Sequence, residues 1–321
     1  MLQFIIIFII VIFVYSHVMR EYKMSDDLEI FELTYTTNAE LQTVCNLKQP
    51  TVFSLQNTAP NFANKISSRI ATTNCSAKLN VFDVLDYEIV PHKSAEPILL
   101  SLPEFEKLCV TDPNAHFITE NNEDFLDDSG IYAEYEKMDD LLKDYFVIKK
   151  YYDVLMGSQN ACFPLRYHKN SRQFFIVASG KIRVKMTPYK YAELLHDYRD
   201  LTTFEFGSPI NVWNPAEYYK ADLDKIQFLE FDVEAGSVLY LPPYWFSSIQ
   251  LVEEKTVVSS ITYYSASNVM ANSLDIFEYW RQRGGGGEAA IPAIPARDTE
   301  PEYAADNSVD DENDTQPEEN K

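Results

Sequence analysis

The segment that most constrains this chain is its first: residues 1–18 read MLQFIIIFIIVIFVYSHV, apolar throughout except Gln3 and the polar end at Ser16 and His17. A run that is apolar on every face has no polar side to turn to water, so it is not the amphipathic helix of a soluble core. As a helix rising about 1.5 Å per residue it reaches about 27 Å, enough to cross a thin hydrocarbon layer. A cleaved secretory signal is the competing reading. It asks for a basic start and a small-x-small cleavage site, and neither is present. Residues 1–19 are therefore expected to be a retained, single-pass membrane anchor. Arg20 and Lys23 follow the segment, and the positive-inside rule then puts the rest of the chain in the cytosol. The sequons Asn74-Cys75-Ser76 and Asn313-Asp314-Thr315 would be used only under the opposite topology.

Downstream, an aromatic share of 14%, with 21 Tyr and 20 Phe, leans towards β structure. Residues 28–31, 52–55, 79–85 and 87–90 read as strands, and 38–45 as a short helix. Pro103 and the acids after it open a helix over 103–108. The acidic stretch 121–128 reads as a loop and 138–145 as a short helix. From Phe163 onward, short strands alternate with turns. Residues 172–186, RQFFIVASGKIRVKM, look like two strands turning at Ser179-Gly180. Strands over 225–233, 238–241, 248–252 and 256–264 follow, then a closing helix over 270–281. That pattern belongs to a sandwich or barrel, so residues 24–283 are expected to form one mainly β domain with flanking helices.

The character changes after Arg283. Four glycines precede Ala/Pro repeats and a stretch whose only aromatic residue is Tyr303. Residues 284–321 carry 11 acidic and 2 basic residues, a net of −9 out of −22 for the whole chain. Such a segment cannot bury enough apolar surface to offset its chain entropy and is expected to be a disordered acidic tail. An acidic chain is a poor match to nucleic-acid phosphates, so no nucleic-acid partner is expected. Cys45, Cys75, Cys109 and Cys162 show neither a zinc nor a disulfide-framework spacing, and no hydrolase elbow, Walker loop or HExxH motif is present.

Three ordered pieces resemble the JmjC/cupin-like family, particularly its versions in giant viruses and algae. The first is Pro164-Leu165-Arg166-Tyr167-His168, followed by Phe174-Phe175-Ile176-Val177 and the Gly180 turn. The second is KIRVKMTP, from Lys181 into Pro188. The third is the run from Glu234 to Ser247, EAGSVLYLPPYWFS. Trp213-Asn214-Pro215 adds to the likeness. The resemblance implies a double-stranded β-helix, the cupin jelly roll. In active members it also implies Fe(II), held by His-x-Asp/Glu and a distant His, with open positions for 2-oxoglutarate and oxygen. Carried onto this chain, the first His position is Arg166, the carboxylate position His168 and the distal His position Ser247. A guanidinium cannot ligate iron and a serine hydroxyl ligates it poorly, so the metal positions are replaced and neither metal nor cofactor is expected. The family's 2-oxoglutarate lysine would fall near Lys181 and Arg183.

Each of these residues also has a plainer reading. His168 fits a hydrogen-bonded histidine. Arg166 could close the domain mouth against Glu230 or Asp232. Tyr240, Tyr244, Trp245 and Phe246 fit packing. Lys181, Arg183 and Lys185 alternate with apolar residues, giving either a solvated strand face or, with Arg166, Tyr240 and Trp245, one lining a pocket for an anion. Three functions follow. The first is a membrane-anchored, non-catalytic pseudoenzyme domain that binds a protein or small ligand. The second is an Fe(II)/2-oxoglutarate hydroxylase with ligands drawn from His168, His196 and Asp197 or Asp232. The third is a structural component of a viral membrane or particle.

Overall fold

The computed structural model describes residues 2–73, 77–85, 96–201 and 204–284. The chain opens with helix α1 (Leu2–Glu21), followed by β1 (Phe31–Leu33), α2 (Asn38–Cys45), β2 (Thr51–Ser54) and α3 (Phe62–Thr72). Next come β3 (Leu79–Asp83), β4 (Ile98–Leu100), α4 (Leu102–Thr111), β5 (Phe117–Thr119), α5 (Glu123–Asp128), α6 (Tyr132–Glu136) and α7 (Asp139–Leu142). The second half holds β6 (Val147–Leu155), β7 (Arg172–Ser179), β8 (Lys181–Pro188), β9 (Tyr198–Asp200), β10 (Glu205–Gly207) and α8 (Glu217–Leu223). It ends with β11 (Leu229–Glu234), β12 (Ser237–Leu241), β13 (Trp245–Leu251), β14 (Val257–Ser265), α9 (Ala266–Ala271) and α10 (Ser273–Gly284).

The expectation of a mainly β jelly-roll barrel is wrong. Helix accounts for 34% of the chain and strand for 30%, and the strands form several open sheets rather than a barrel. The largest has six strands in the order β1-β2-β12-β7-β14-β6, and separate three-stranded sheets run β11-β8-β13 and β4-β3-β5. The physical reason lies in the six-stranded sheet, which is covered on both faces. Phe174, Ile176 and Ala178 of β7 pack with Leu41, Ile66, Phe125 and Tyr135 from the helices. The alternate residues Phe175 and Val177 face Ile182 and Val184 of β8 and Trp245 of β13. A sheet buried on both sides reads as a near-continuous apolar run, and nothing in that run says whether helices or further strands cover it.

The strands β7 and β8 do turn at Gly180, but they belong to different sheets: β7 pairs with β12 and β14, and β8 with β11 and β13. Gly180 has a φ of +73°, and a Cβ there would lie 2.4 Å from Thr256 Oγ1, so only glycine makes this crossing without strain.

Helix α2 matches its expected span, opened by Thr37, whose hydroxyl accepts a hydrogen bond from the Glu40 N–H. The acidic stretch expected as a loop contains helix α5 instead, with Phe125 and Leu126 buried. The closing helix is two helices, α9 and α10, broken at Asn272. Strand β6 had no counterpart in the sequence reading. The strand expected over 87–90, the Asn74 and Asn313 sequons and the tail over 285–321 lie outside the described residues. Helix α1 is the one described helix long and apolar enough to cross a membrane, exposed along that apolar length, and compatible with either a signal sequence or a single anchor.

Candidate functional site

The residues leading into β7 lie along the edge of β13. Phe163 N–H donates to Ile249 O at 2.8 Å, and Arg166 and Ser247 exchange both backbone hydrogen bonds, at 3.1 and 2.8 Å. On its other side Arg166 bridges to Gly207 of β10. A Cβ at Gly207 would sit 2.8 Å from Leu165 O and 3.2 Å from Arg166 Cγ, so the glycine allows this close approach. Arg166, His168 and Ser247, far apart in sequence, therefore line one cavity of about 260 Å³. Its other walls are the inner face of the six-stranded sheet (Tyr151, Asp153, Phe175, Ser260, Thr262) and the aromatic rings of Phe204 and Phe206.

The charges here differ from the expected ones. Arg166 pairs with Glu120, Nη1 to Oε2 at 2.7 Å, and with Glu205 at 3.6 Å. Glu230 and Asp232, its expected partners, instead pair outside the cavity with Lys185 and with Lys181 and Arg183. Asp153 stands beside Glu120 and is buried. Its Oδ1 accepts from Asn122 N–H and Val154 N–H, and its Oδ2 from Asn121 N–H, each at 2.8 Å. These bonds hold the turn that carries Glu120. Burial, reinforced by the Glu120 charge, pushes the Asp153 carboxyl up to about 7. Burial raises the Glu205 carboxyl as well, with Glu120 and Asp200 adding to the rise and Arg166 opposing it. Three carboxyl groups thus share the cavity lining with one guanidinium, and Lys169 Nζ lies nearby, 4.4 Å from the centre of the Phe206 ring.

His168 is locked in a neutral form. Its Nε2 lies 3.0 Å from Leu241 O, which can only accept, so Nε2 carries the proton. Its Nδ1 accepts from Asn170 N–H at 3.1 Å. Burial, with help from the Lys48 charge, holds its pKa down to about 3.

The remaining expected site residues do not join this cavity. Lys181 and Arg183 line the opposite face of β8 from Ile182 and Val184, bonded to Asp232, so this is a solvated strand face rather than a pocket wall. Tyr240 points to the helix-covered side of the six-stranded sheet, its hydroxyl donating to Cys45 O at 3.1 Å. Trp245 is buried between the two sheets as packing. Sequence reasoning missed Glu120, Asp153 and Glu205; the lone carboxylate of Asp153 between Tyr152 and Val154 in β6 was the available signal.

The Fe(II) site that the resemblance implies does not fit these residues. Arg166 has no lone pair to give, both ring nitrogens of His168 are engaged, and Ser247 is a hydroxyl. The alternative ligands are scattered. His196 lies 3.2 Å from Asp222, Asp197 is bonded to Tyr189, and Asp232 is on the outer strand face. Among the described residues no group of three His, Cys, Asp or Glu side chains is placed to hold a metal ion. A larger cavity, of about 780 Å³, lies beside α3 and α4. Of its acids, Glu106, Glu253 and Glu254 are exposed, so solvent and salt screen them, and Asp112 is engaged by Ser158 Oγ and the N–H groups of Asn114 and His116. Compared with known proteins, the chain matches no protein-family model and no curated protein.

Proposed function

We propose that this chain is a single-pass, membrane-anchored ligand-binding domain, and that the cavity beside Arg166 takes a small molecule carrying a cationic nitrogen. The observation that carries this reading is the charge balance of the cavity, Glu120, Glu205 and Asp153 against Arg166. In a partly dry site an ammonium group relieves repulsion among the carboxylates, and the rings of Phe204 and Tyr151 line the same cavity. The motifs that resemble JmjC/cupin-like proteins supply Arg166, His168 and Ser247 to this wall. We read them as a binding surface whose metal positions have been replaced, with the domain on the cytosolic side by the flanking Arg20 and Lys23.

Calorimetric titration of the full chain in nanodiscs tests this, using putrescine, cadaverine, succinate, and 2-oxoglutarate with Fe(II). The diamines are expected to bind, more tightly at pH 8 than at pH 6, because Asp153 loses its proton across about 7. Stoichiometric iron with 2-oxoglutarate, and no diamine heat, would overturn the reading in favour of an oxygenase.

A further inference from the structure

The end of α1 does not lead into a flexible linker. Glu21 is buried, accepts from Ser267 Oγ of α9 at 2.8 Å and lies 3.7 Å from Lys48 Nζ. The Tyr22 hydroxyl donates to Ala271 O at the other end of α9. The apolar helix is therefore fastened against α9, and whatever surface surrounds α9 lies close to the point where α1 leaves the domain.

Two exposed apolar elements flank α9. After it comes α10, whose inner side is pinned by the Lys169–Asp275 ion pair at 2.5 Å and by the Tyr279 ring against Phe204. Its outer side repeats Leu274, Phe277 and Trp280, with Met270 one turn earlier on α9, and Trp280 is 71% exposed. That is helical spacing for one apolar stripe, facing no other part of the described chain. Beside the start of α9 lies the turn into β6. Ala266 N–H donates to Phe146 O at 3.0 Å, tying the turn to the start of the helix. Phe146 is held at a φ of +55°, with its ring 76% exposed beside exposed Tyr145 and Ile148. Lys143 and Lys149 flank these rings, local cations in a chain of net charge −22, whereas Arg281, after Trp280, is paired with Glu278 at 2.6 Å.

From this placement we propose that the Tyr145–Phe146–Ile148 turn and the outer face of α10 rest in the headgroup layer of the membrane that holds α1. The inference depends on α1 being a retained anchor. Exposed aromatic and apolar residues edged by lysines are the chemistry of an interfacial surface, with rings at the acyl boundary and cations at the phosphates. Together with the fastened α1, these contacts would fix the domain against the bilayer rather than let it swing.

Fluorescence of the full chain in phosphatidylcholine–phosphatidylserine vesicles tests this, because Trp245 is buried and Trp213 is covered by Lys185, whose Nζ lies 4.5 Å from its ring. Lipids brominated near the top of the acyl chain are expected to quench a component that Trp280→Phe removes. Adding Phe146→Trp to that variant should restore a quenched component. Carbonate-resistant flotation, read on the same vesicles, reports the anchor separately. A chain that floats while aqueous iodide, and not the bromolipid, quenches Trp280 overturns the inference and leaves the anchor standing. A chain that does not float overturns both. Protection of Trp280 from iodide that grows with protein density and shows no bromolipid quenching also overturns it, assigning the face to a second copy.

Discussion

Arg166 and Arg172 stand close together in the chain and organise two different polar centres. Arg172 is 1% exposed, and each of its bonds goes to a fixed group: Nε to Gln42 Oε1 at 2.9 Å, Nη1 to Ser171 O at 2.8 Å and Nη2 to Asn46 Oδ1 at 2.8 Å. Asp144 lies 3.4 Å from it, and the Glu21–Lys48 pair adjoins the cluster. It lines neither of the two cavities described above, and the groups it ties are α2, the α7–β6 turn and the strand start. Arg166 has a side chain 21% exposed and faces a 260 Å³ cavity, with one close carboxylate partner and a second at 3.6 Å. A filled, charge-compensated arginine holds elements together. One with excess carboxylate and space beside it can exchange partners with a ligand.

The largest effect should come from emptying the closed centre. Arg172→Met is expected to cost about 3–5 kcal/mol, because it strands Asp144 and the amide oxygens in a dry interior. Urea unfolding of the detergent-solubilised chain measures it; a loss under about 1 kcal/mol would erase the contrast. Arg166→Met should cost less, about 2 kcal/mol, by leaving Glu120 buried and unpaired. Saturating putrescine should restore much of that loss, since an ammonium can stand where the guanidinium was. Absence of rescue would make Arg166 a structural residue like its neighbour.

A graded effect concerns acid, slight near neutral pH and growing as the pH falls. His168 is neutral in the fold with a pKa of about 3, below its ordinary 6.5. The unfolded chain therefore takes up a proton first as pH falls. The stability His168 contributes is full above about 6.5 and drains by up to about 1.4 kcal/mol per pH unit on the way down to 3. Asp153 acts with the opposite sign. Its raised pKa favours the fold at low pH and loses that contribution as pH rises towards 7. His168→Gln should keep the bond to Leu241 O and flatten the acid side of the stability profile; an unchanged profile would show that His168 is solvated.

Much of the local structure was legible in sequence. The α2 span and the Gly180 turn carry short-range signals. The alternation of Lys181, Ile182, Arg183 and Val184 correctly gave one polar and one apolar face of β8. Sheet assembly was not legible, because β7 and β14 are buried on both faces and their apolar runs do not record what covers them. The candidate site was half legible. The motifs brought Arg166, His168 and Ser247 together, but the acids come from the turn after β5, from β6 and from β10. Only tertiary packing joins those segments, and no local pattern marks Glu120 as the partner of Arg166.

The measurement that bears most directly on the central claim is putrescine titration of the full chain in nanodiscs, wild type beside Glu205→Gln. Glu205 is the outer, more loosely held carboxylate, so its loss should leave unfolding little changed while weakening diamine binding about tenfold, or about 1.4 kcal/mol. Equal affinity in the two chains, or tighter binding of succinate than of putrescine, would contradict a cation-binding cavity at Arg166.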